Sequence, residues 1–149
     1  MVMNNYINSN GGLIYYSNTK PAGNNITVNI GANVEKLNND MFNCTYLLTA
    51  VRYASTTKLN YIGSEVFYHC DNLNDFYIPS TVVEIISYDD GRYSPWAYSG
   101  GDMILYCEVD SALSTYSSKW NWYDYSNQLT VKYGYTYEQY LAEISSNEA

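Results

Sequence analysis

Basic residues are scarce in this 149-residue sequence, which has 7 Lys and Arg against 15 Asp and Glu and a net charge of −8. Phosphate contacts depend on Lys and Arg, so we expect no direct binding of DNA or RNA. No apolar run approaches the roughly 18 residues of a membrane span, and the opening MVMNNYINSNGG lacks the basic start and apolar stretch of an export signal. We therefore expect no membrane span and an acidic surface, which suits a basic protein groove or serves solvation.

Cysteine and histidine are also few, and their spacing argues against catalysis. The three cysteines, Cys44, Cys70 and Cys107, show no CxxC pair for zinc or redox chemistry. Cys44 and Cys70 occupy nearly the same place in successive coils, which a disulfide could span, but we predict reduced, buried thiols. The only histidine, His69, adjoins Cys70, and neighbouring strand residues point to opposite faces. We therefore predict no enzymatic activity, no metal and no cofactor.

Tyrosine is abundant, with 19 residues in a chain that is 46% hydrophobic. This share of apolar residues excludes a disordered chain, and the length is that of one domain with a real core. Tyrosine hydroxyls keep half-exposed surfaces wettable. The tyrosines are explained either by recognition of a macromolecule or by replacement of other β-forming residues on a wet sheet.

An irregular apolar spacing recurs after 25 residues. Its steps of five, six, three and two residues join Leu37, Phe42, Leu48, Val51 and Tyr53, and again Ile62, Phe67, Leu73, Phe76 and Ile78. A fixed period of about 20 to 50 residues is typical of a solenoid, in which one unit cannot bury its apolar face alone. We therefore predict stacked coils, with Phe42 on Phe67.

Each unit contains a short strand and a second apolar segment. The strands are predicted at ITVNI, LTAVRY and LNDFYI, and the second segments end at Leu37, Ile62 and Ile85. The middle unit is longer, because nine positions separate Tyr53 from Ile62 but only seven separate Ile78 from Ile85. We predict a bulging loop near STTK.

The two ends of the chain differ from the repeats, and together they predict a single domain, 1–149. Residues 1–24 form an N-terminal β cap with a strand at Leu13 to Tyr16, and residues 25–109 hold the repeats. An insertion near 87–102 carries Trp96 as an inward anchor, and MILYCEV follows as a strand. Residues 110–149 form an aromatic C-terminal cap whose Thr136–Gln139 capping box starts a short amphipathic helix, from about Tyr137 to Ser145.

These repeats resemble a known family. The succession L-x-x-F-x-I-P-S-x-V-x-x-I from Leu73 to Ile85, preceded by I-G-S-x-x-F-x-x-C from Ile62 to Cys70, resembles the BspA-like (Treponema pallidum type) leucine-rich repeat. The segment ILYCEVDSALSTYSSKWNW resembles the terminal segment of many such arrays. The pattern departs where Gly31 and Ala54 replace the proline at Pro79, and where Cys44 stands one place early.

The resemblance implies a β-rich (α+β) fold, a short right-handed leucine-rich-repeat solenoid with one strand per repeat. It also implies a non-enzymatic, adhesion-type recognition module that binds a protein or glycan at the cell surface or in secreted form, although fold alone does not fix function. With Val28, Val51 and Phe76 facing inward, strand alternation places the candidate binding residues Asn29, Arg52, Asp75 and Tyr77 outward. Arg52 and Tyr77 are the preferred anchors, since Arg and Tyr are enriched at binding hot spots.

The acidic charge supports an alternative function. The chain is then a phage-encoded virion component, or an acidic inhibitor that occupies a basic groove of a host nucleic-acid-binding enzyme, and it acts in the cytoplasm or the virion. In that case the irregular loop supplies the binding residues, with Asp89, Asp90 and Asp102 as candidates.

Overall fold

A computed structural model describes residues 6–9, 12–18, 26–86, 94–96, 99, 103–108 and 130–147. Within these ranges the chain is rich in strands and has one short helix. The elements are β1 (Tyr6–Ser9), β2 (Gly12–Asn18), β3 (Ile26–Ile30), β4 (Lys36–Leu37), β5 (Leu48–Tyr53), β6 (Tyr61–Ile62), β7 (Asp75–Ile78), β8 (Glu84–Ile85), β9 (Ile104–Cys107), β10 (Thr130–Lys132) and the helix α1 (Tyr137–Asn147).

The strands form three sheets, with the orders β1-β2-β3-β5, β4-β6-β8 and β10-β9-β7. The pairs β3/β5, β4/β6, β6/β8, β7/β9 and β9/β10 are all parallel, as expected for strands that follow one another in stacked coils. The three predicted repeat strands are therefore confirmed as β3, β5 and β7. However, β5 and β7 belong to different sheets.

The small sheet β4-β6-β8 confirms the second apolar segment of each unit. Leu37 pairs with Ile62, which pairs with Ile85, so residues predicted to be equivalent lie side by side. All three side chains are buried in one core with the inward strand residues Val28, Val51 and Phe76. Burial of one apolar side chain from each coil against the next is what holds such coils together.

The predicted stack of Phe42 on Phe67 is also confirmed. Their ring centroids lie 5.7 Å apart with an interplanar angle of 14°, and both side chains are buried. The backbone repeats as well, because Asp40 and Glu65 have φ of 61° and 53°, and Cys44 and His69 have φ of 57° and 54°. Each pair is separated by the 25-residue period, so the same left-handed turn recurs in successive coils.

The repeated turn corrects one cysteine prediction. The free thiols are those of Cys44, Cys70 and Cys107. Cys70 and Cys107 are buried, whereas Cys44 is exposed. The predicted burial of Cys44 is wrong. Cys44 occupies the left-handed position equivalent to His69 in the next coil, and its side chain is exposed there. Cys70 points inward instead, and its thiol donates to the Phe42 carbonyl over 3.2 Å.

Gly63 marks the closest approach between two coils. A Cβ atom at this position would lie 2.6 Å from the backbone nitrogen of Asn39 in the preceding coil, which is closer than real Cβ contacts. The Asn39 side chain also accepts a hydrogen bond from the Ser64 amide over 2.9 Å. Glycine is therefore required here by the contact between coils.

The structure describes part of each predicted cap. β1 and β2 form an antiparallel pair, and β2 also pairs antiparallel with β3, so a hairpin covers the edge of the first coil. Trp96 is fully buried, as predicted for an anchor, whereas most of the 87–102 insertion lies outside the described residues. The same holds for 109–129 in the predicted aromatic cap.

The C-terminal helix begins with the predicted capping box. The Thr136 amide donates to the Gln139 side chain over 2.9 Å, and the Gln139 amide donates to Thr136 Oγ1 over 3.2 Å. α1 runs to Asn147, slightly beyond the predicted end at Ser145. Tyr140 and Ile144 of its apolar stripe are buried, which confirms that the helix docks on the rest of the chain.

Candidate partner-binding surface

The outer face of the strands brings three of the four predicted strand residues together. Asn29 pairs with Arg52 across β3 and β5. Arg52 Nη1 donates to the Tyr140 hydroxyl over 3.3 Å, and this hydroxyl donates to the Asp75 carboxylate. Arg52 and Asp75 are therefore joined through a side chain of α1, and Asn29 lies beside them.

Helix α1 covers the part of this face that includes Tyr77. The Tyr77 ring lies 5.3 Å from the ring of Tyr137 and 5.5 Å from that of Tyr140, measured between centroids. Its hydroxyl donates to the Tyr135 carbonyl over 3.0 Å, and only 4% of the residue is exposed. The predicted exposure of Tyr77 is therefore wrong, because the helix that follows the strands docks on it.

The contacts between α1 and the strands are mostly aromatic and polar. Arg52 also lies over the Tyr140 ring, 5.8 Å from its centroid, in a cation–π arrangement. Burial, followed by the charge of Asp75, raises the pKa of the Tyr140 phenol. The phenol therefore stays neutral and can donate to Asp75 at physiological pH.

Glu143 holds the far side of α1. Its carboxylate accepts hydrogen bonds from Tyr106 over 2.6 Å and from Tyr135 over 2.8 Å, and it lies 3.4 Å from Lys132 Nζ. The two phenol hydrogen bonds lower the pKa of this carboxyl group, with a further contribution from Lys132. One helix side chain is thus bound to β9, to β10 and to the segment after β10.

Tyrosine hydroxyls bridge the division between β5 and β7. The Tyr53 hydroxyl donates to the Tyr77 carbonyl over 2.7 Å, and the Tyr53 amide donates to the Tyr137 hydroxyl over 2.9 Å. Arg52 Nη1 also donates to the Val51 carbonyl over 3.0 Å. In a continuous sheet these backbone amide and carbonyl groups would bond to another strand. Here side chains provide their hydrogen-bond partners instead.

A cleft of about 320 Å³ opens at the carboxyl ends of β5 and β7. The loop 54–57 forms one side, residues 79–81 form another, and Glu108 and the start of α1 close it. Among the lining side chains, Glu108 and Glu138 carry charge, and burial followed by Glu108 raises the pKa of Tyr77 to about 12. The loop predicted near STTK therefore forms a wall of the cleft.

The remaining predicted residues lie elsewhere. Asp89, Asp90 and Asp102 are outside the described residues. Asn29 is half-buried at the side of the face away from Tyr77, and Arg52 and Asp75 are half-buried under Tyr140. Sequence reasoning missed Tyr53, Tyr137 and Glu143. The aromatic stripe on α1 was a signal that the helix would dock on a tyrosine-rich surface.

The two groups considered for catalysis, Cys70 and His69, lie in different surroundings, one buried and one at the surface. Burial raises the pKa of the Cys70 thiol to about 12, so the thiol stays protonated at neutral pH. His69 contacts Asp71 at 3.3 Å on the surface. Within the described ranges, no three His, Cys, Asp or Glu side chains are grouped to hold a metal ion. Likewise α1, the helix described, is neither long nor apolar enough to cross a bilayer.

The family comparison fits the stacked parallel strands. A family model described as BspA type Leucine rich repeat region matches residues 14–89 in six copies, which is 76 of the 149 residues. The chain belongs to this family. BspA-type leucine-rich repeats imply a solenoid-like fold, and such repeat domains are generally non-enzymatic protein-interaction modules. No curated protein and no solved structure matches the sequence significantly.

Proposed function

We propose that this BspA-type chain is a non-enzymatic, adhesion-type recognition module, folded as a short right-handed solenoid, that binds a protein or glycan partner. Membership of a family of interaction modules supports the class of function. The position of α1 is the observation that supports the proposed location of the binding site. Because the helix covers Tyr77, a partner reaches the outer face where Asn29 and Arg52 lie side by side.

The half-buried end of the face at Asn29 and Arg52 has the chemistry of a polar contact. The Asn29 amide lies at this end of the face beside Arg52, whose guanidinium has donors beyond those given to Val51 and Tyr140. Arg is enriched at interface hot spots because its planar group combines stacking with several hydrogen bonds. The loop residues Asp89, Asp90 and Asp102 stay candidate binding residues from the sequence.

The net charge of −8 favours a second candidate, an acidic inhibitor that binds a basic groove. In that case the binding free energy depends on charge rather than on the sheet face. Salt screens such contacts strongly when they are solvent-exposed. The two candidates therefore differ in their response to salt and to the loop carboxylates.

One experiment separates these candidates on a partner captured from a lysate and then purified. The variant Asn29→Ala/Arg52→Ala is compared with Asn38→Ala/Lys58→Ala, which removes one asparagine and one basic residue from exposed positions elsewhere. We expect the first pair to weaken binding about tenfold or more, as loss of hot-spot contacts does, while the control pair leaves it unchanged. Circular dichroism and thermal melting check that both variants remain folded.

The inhibitor alternative requires a different result. Binding would then survive Asn29→Ala/Arg52→Ala but would weaken steeply in high salt and in Asp89→Asn/Asp90→Asn/Asp102→Asn. Binding that is indifferent to all five changes and to salt would contradict both candidates.

A further inference from the structure

The cleft beside the start of α1 contains polar groups that the fold does not use. Within the described residues, the hydroxyls of Ser55, Thr56 and Ser80 make no hydrogen bond, and the carboxylates of Glu108 and Glu138 make no hydrogen bond or ion pair. The neighbouring Thr57 and Thr81 hydroxyls are, by contrast, bound to the backbone of Leu59. The lining thus includes a structural set of hydroxyls and a free set that faces the opening.

The free groups are spread over the cleft rather than gathered at one point. Ser55 and Thr56 lie on the loop after β5, Ser80 lies on the loop after β7, and Glu138 lies on the first turn of α1. Hydroxyls donate and accept hydrogen bonds, whereas carboxylates only accept. A ligand that matches them needs several donors and acceptors around its rim, which a single ammonium group does not provide.

The aromatic wall and the charge restrict the ligand further. Half-buried Tyr137 lines the cleft, and its hydroxyl accepts the Tyr53 amide, which fixes the ring in place. Aromatic walls with a few placed polar groups are typical of small-ligand sites. Glu108 and Glu138 repel anions, so phosphorylated and carboxylated ligands are disfavoured.

We infer that this cleft binds one neutral pyranose unit of a glycan. A pyranose has a flat face of C–H groups that packs on an aromatic wall and a rim of hydroxyls that donate to carboxylates and exchange hydrogen bonds with Ser and Thr. The volume of about 320 Å³ lies at the small end of ligand pockets, which range over about 300–1,000 Å³, and suits a terminal sugar of a longer chain. This inference deepens the proposed recognition function and rests on it.

The test is a titration followed by NMR on the whole isotope-labelled chain. The probes are the methyl pyranosides of glucose, galactose, mannose and N-acetylglucosamine. Nα-acetyl-lysine methylamide, which keeps its side-chain ammonium, is the cationic probe of similar size. We expect saturable shifts from at least one pyranoside, with Kd in the millimolar range, at the amides of 54–57, 79–81 and 136–138. The cationic probe should leave these amides unshifted.

A matched pair of variants locates the site. Ser55→Ala/Ser80→Ala removes two exposed hydroxyls from the cleft, and Ser145→Ala/Ser146→Ala removes two exposed hydroxyls from the far end of α1. The first pair should raise Kd about tenfold, since two neutral hydrogen bonds are lost, and the second should leave it unchanged. All four positions are exposed, so folding is preserved.

Three results would overturn the inference: no saturable shift with any pyranoside, equal effects of the two variant pairs, or saturation of the cleft by the cationic probe alone. Partner binding that depends on Asn29 and Arg52 would still stand in each case, so failure of the saccharide site is distinguishable from failure of the proposed function. If a pyranoside binds but captured partners lack glycans, the source is a free polysaccharide rather than a glycoprotein.

Discussion

At the scale of single residues, the period determines which side chains touch, and the backbone determines where each one points. The Phe42–Phe67 stack was predictable because apolar residues at the same step of a 25-residue repeat occupy the same place in adjacent coils. The exposure of Cys44 was not predictable, because it depends on a left-handed φ that the spacing does not encode.

The phenylalanine stack leads to a stability prediction. Phe42→Ala and Phe67→Ala should each lower the free energy of unfolding by about 3–5 kcal/mol, because each removes a fully buried ring and leaves a cavity. Urea denaturation measures the change. Val83→Ala is the control, since Val83 is 71% exposed and its truncation should cost less than about 0.5 kcal/mol. Losses below about 1 kcal/mol at both phenylalanines would contradict the repeat register.

At the scale of elements, the sequence predicted that α1 exists and which stripe it buries, but not the surface that receives it. The capping box and the spacing of Tyr137, Tyr140 and Ile144 are local signals. The receiving surface is made by Arg52, Asp75 and other residues far away in sequence, and an outward position on a strand is equally consistent with solvent, a partner or a docked helix. This ambiguity is the reason that the predicted exposure of Tyr77 is wrong.

The Glu143 carboxylate makes docking of α1 dependent on pH. Because its pKa in the folded chain lies below the ordinary value of 4.5, its contribution to stability is present at neutral pH. The contribution is lost as pH falls below about 4.5 through the folded-state pKa. Glu143→Gln should therefore destabilise the chain more at pH 7 than at pH 3, because protonation of Glu143 at low pH begins to remove the same charge. Unfolding curves at both pH values measure this.

The control for Glu143 is Glu84→Gln, an exposed carboxylate on β8, which belongs to a different sheet from β9 and β10. It removes the same charge without removing phenol contacts. A stability difference between wild type and Glu143→Gln that stays constant from pH 7 to pH 3 would show that the carboxylate is not the group that holds the helix.

At the scale of the whole molecule, parallel strands stacked at a fixed period could be predicted from the sequence, but the division into separate sheets could not. Tyr53 and Tyr77 lie on the strands on either side of it, and both read as ordinary β-forming residues. The division depends on hydroxyls that reach backbone groups across it, which only the folded chain brings within bonding distance. The 19 tyrosines thus include several that join parts of the fold.

Reliance on neutral phenols predicts loss of stability in alkali. Burial raises the pKa of Tyr77 to about 12 and also raises those of Tyr53 and Tyr140, against an ordinary value of 10.0. Their stabilisation is present below pH 10 and is lost as pH rises from about 10 towards 12, because the unfolded chain ionises first. Denaturation curves at pH 9, 10 and 11, with tyrosinate absorbance, measure the decline.

Tyr77→Phe should show a flatter decline over the same range, because it keeps the ring and lacks the ionisable group. A wild-type chain that ionises all its tyrosines near pH 10 while remaining folded would contradict this account.

The hydrogen bond from the Tyr53 amide to the Tyr137 hydroxyl has a consequence for solvent exchange. The amides of β5 that bond to β3 exchange only when these two strands separate, whereas this one is protected by a side chain of α1. Any departure of the helix, however brief, opens that amide to deuterium while the amides bonded to β3 remain closed. A single backbone proton in the middle of the chain therefore reports how often the C-terminal helix leaves the face that it covers.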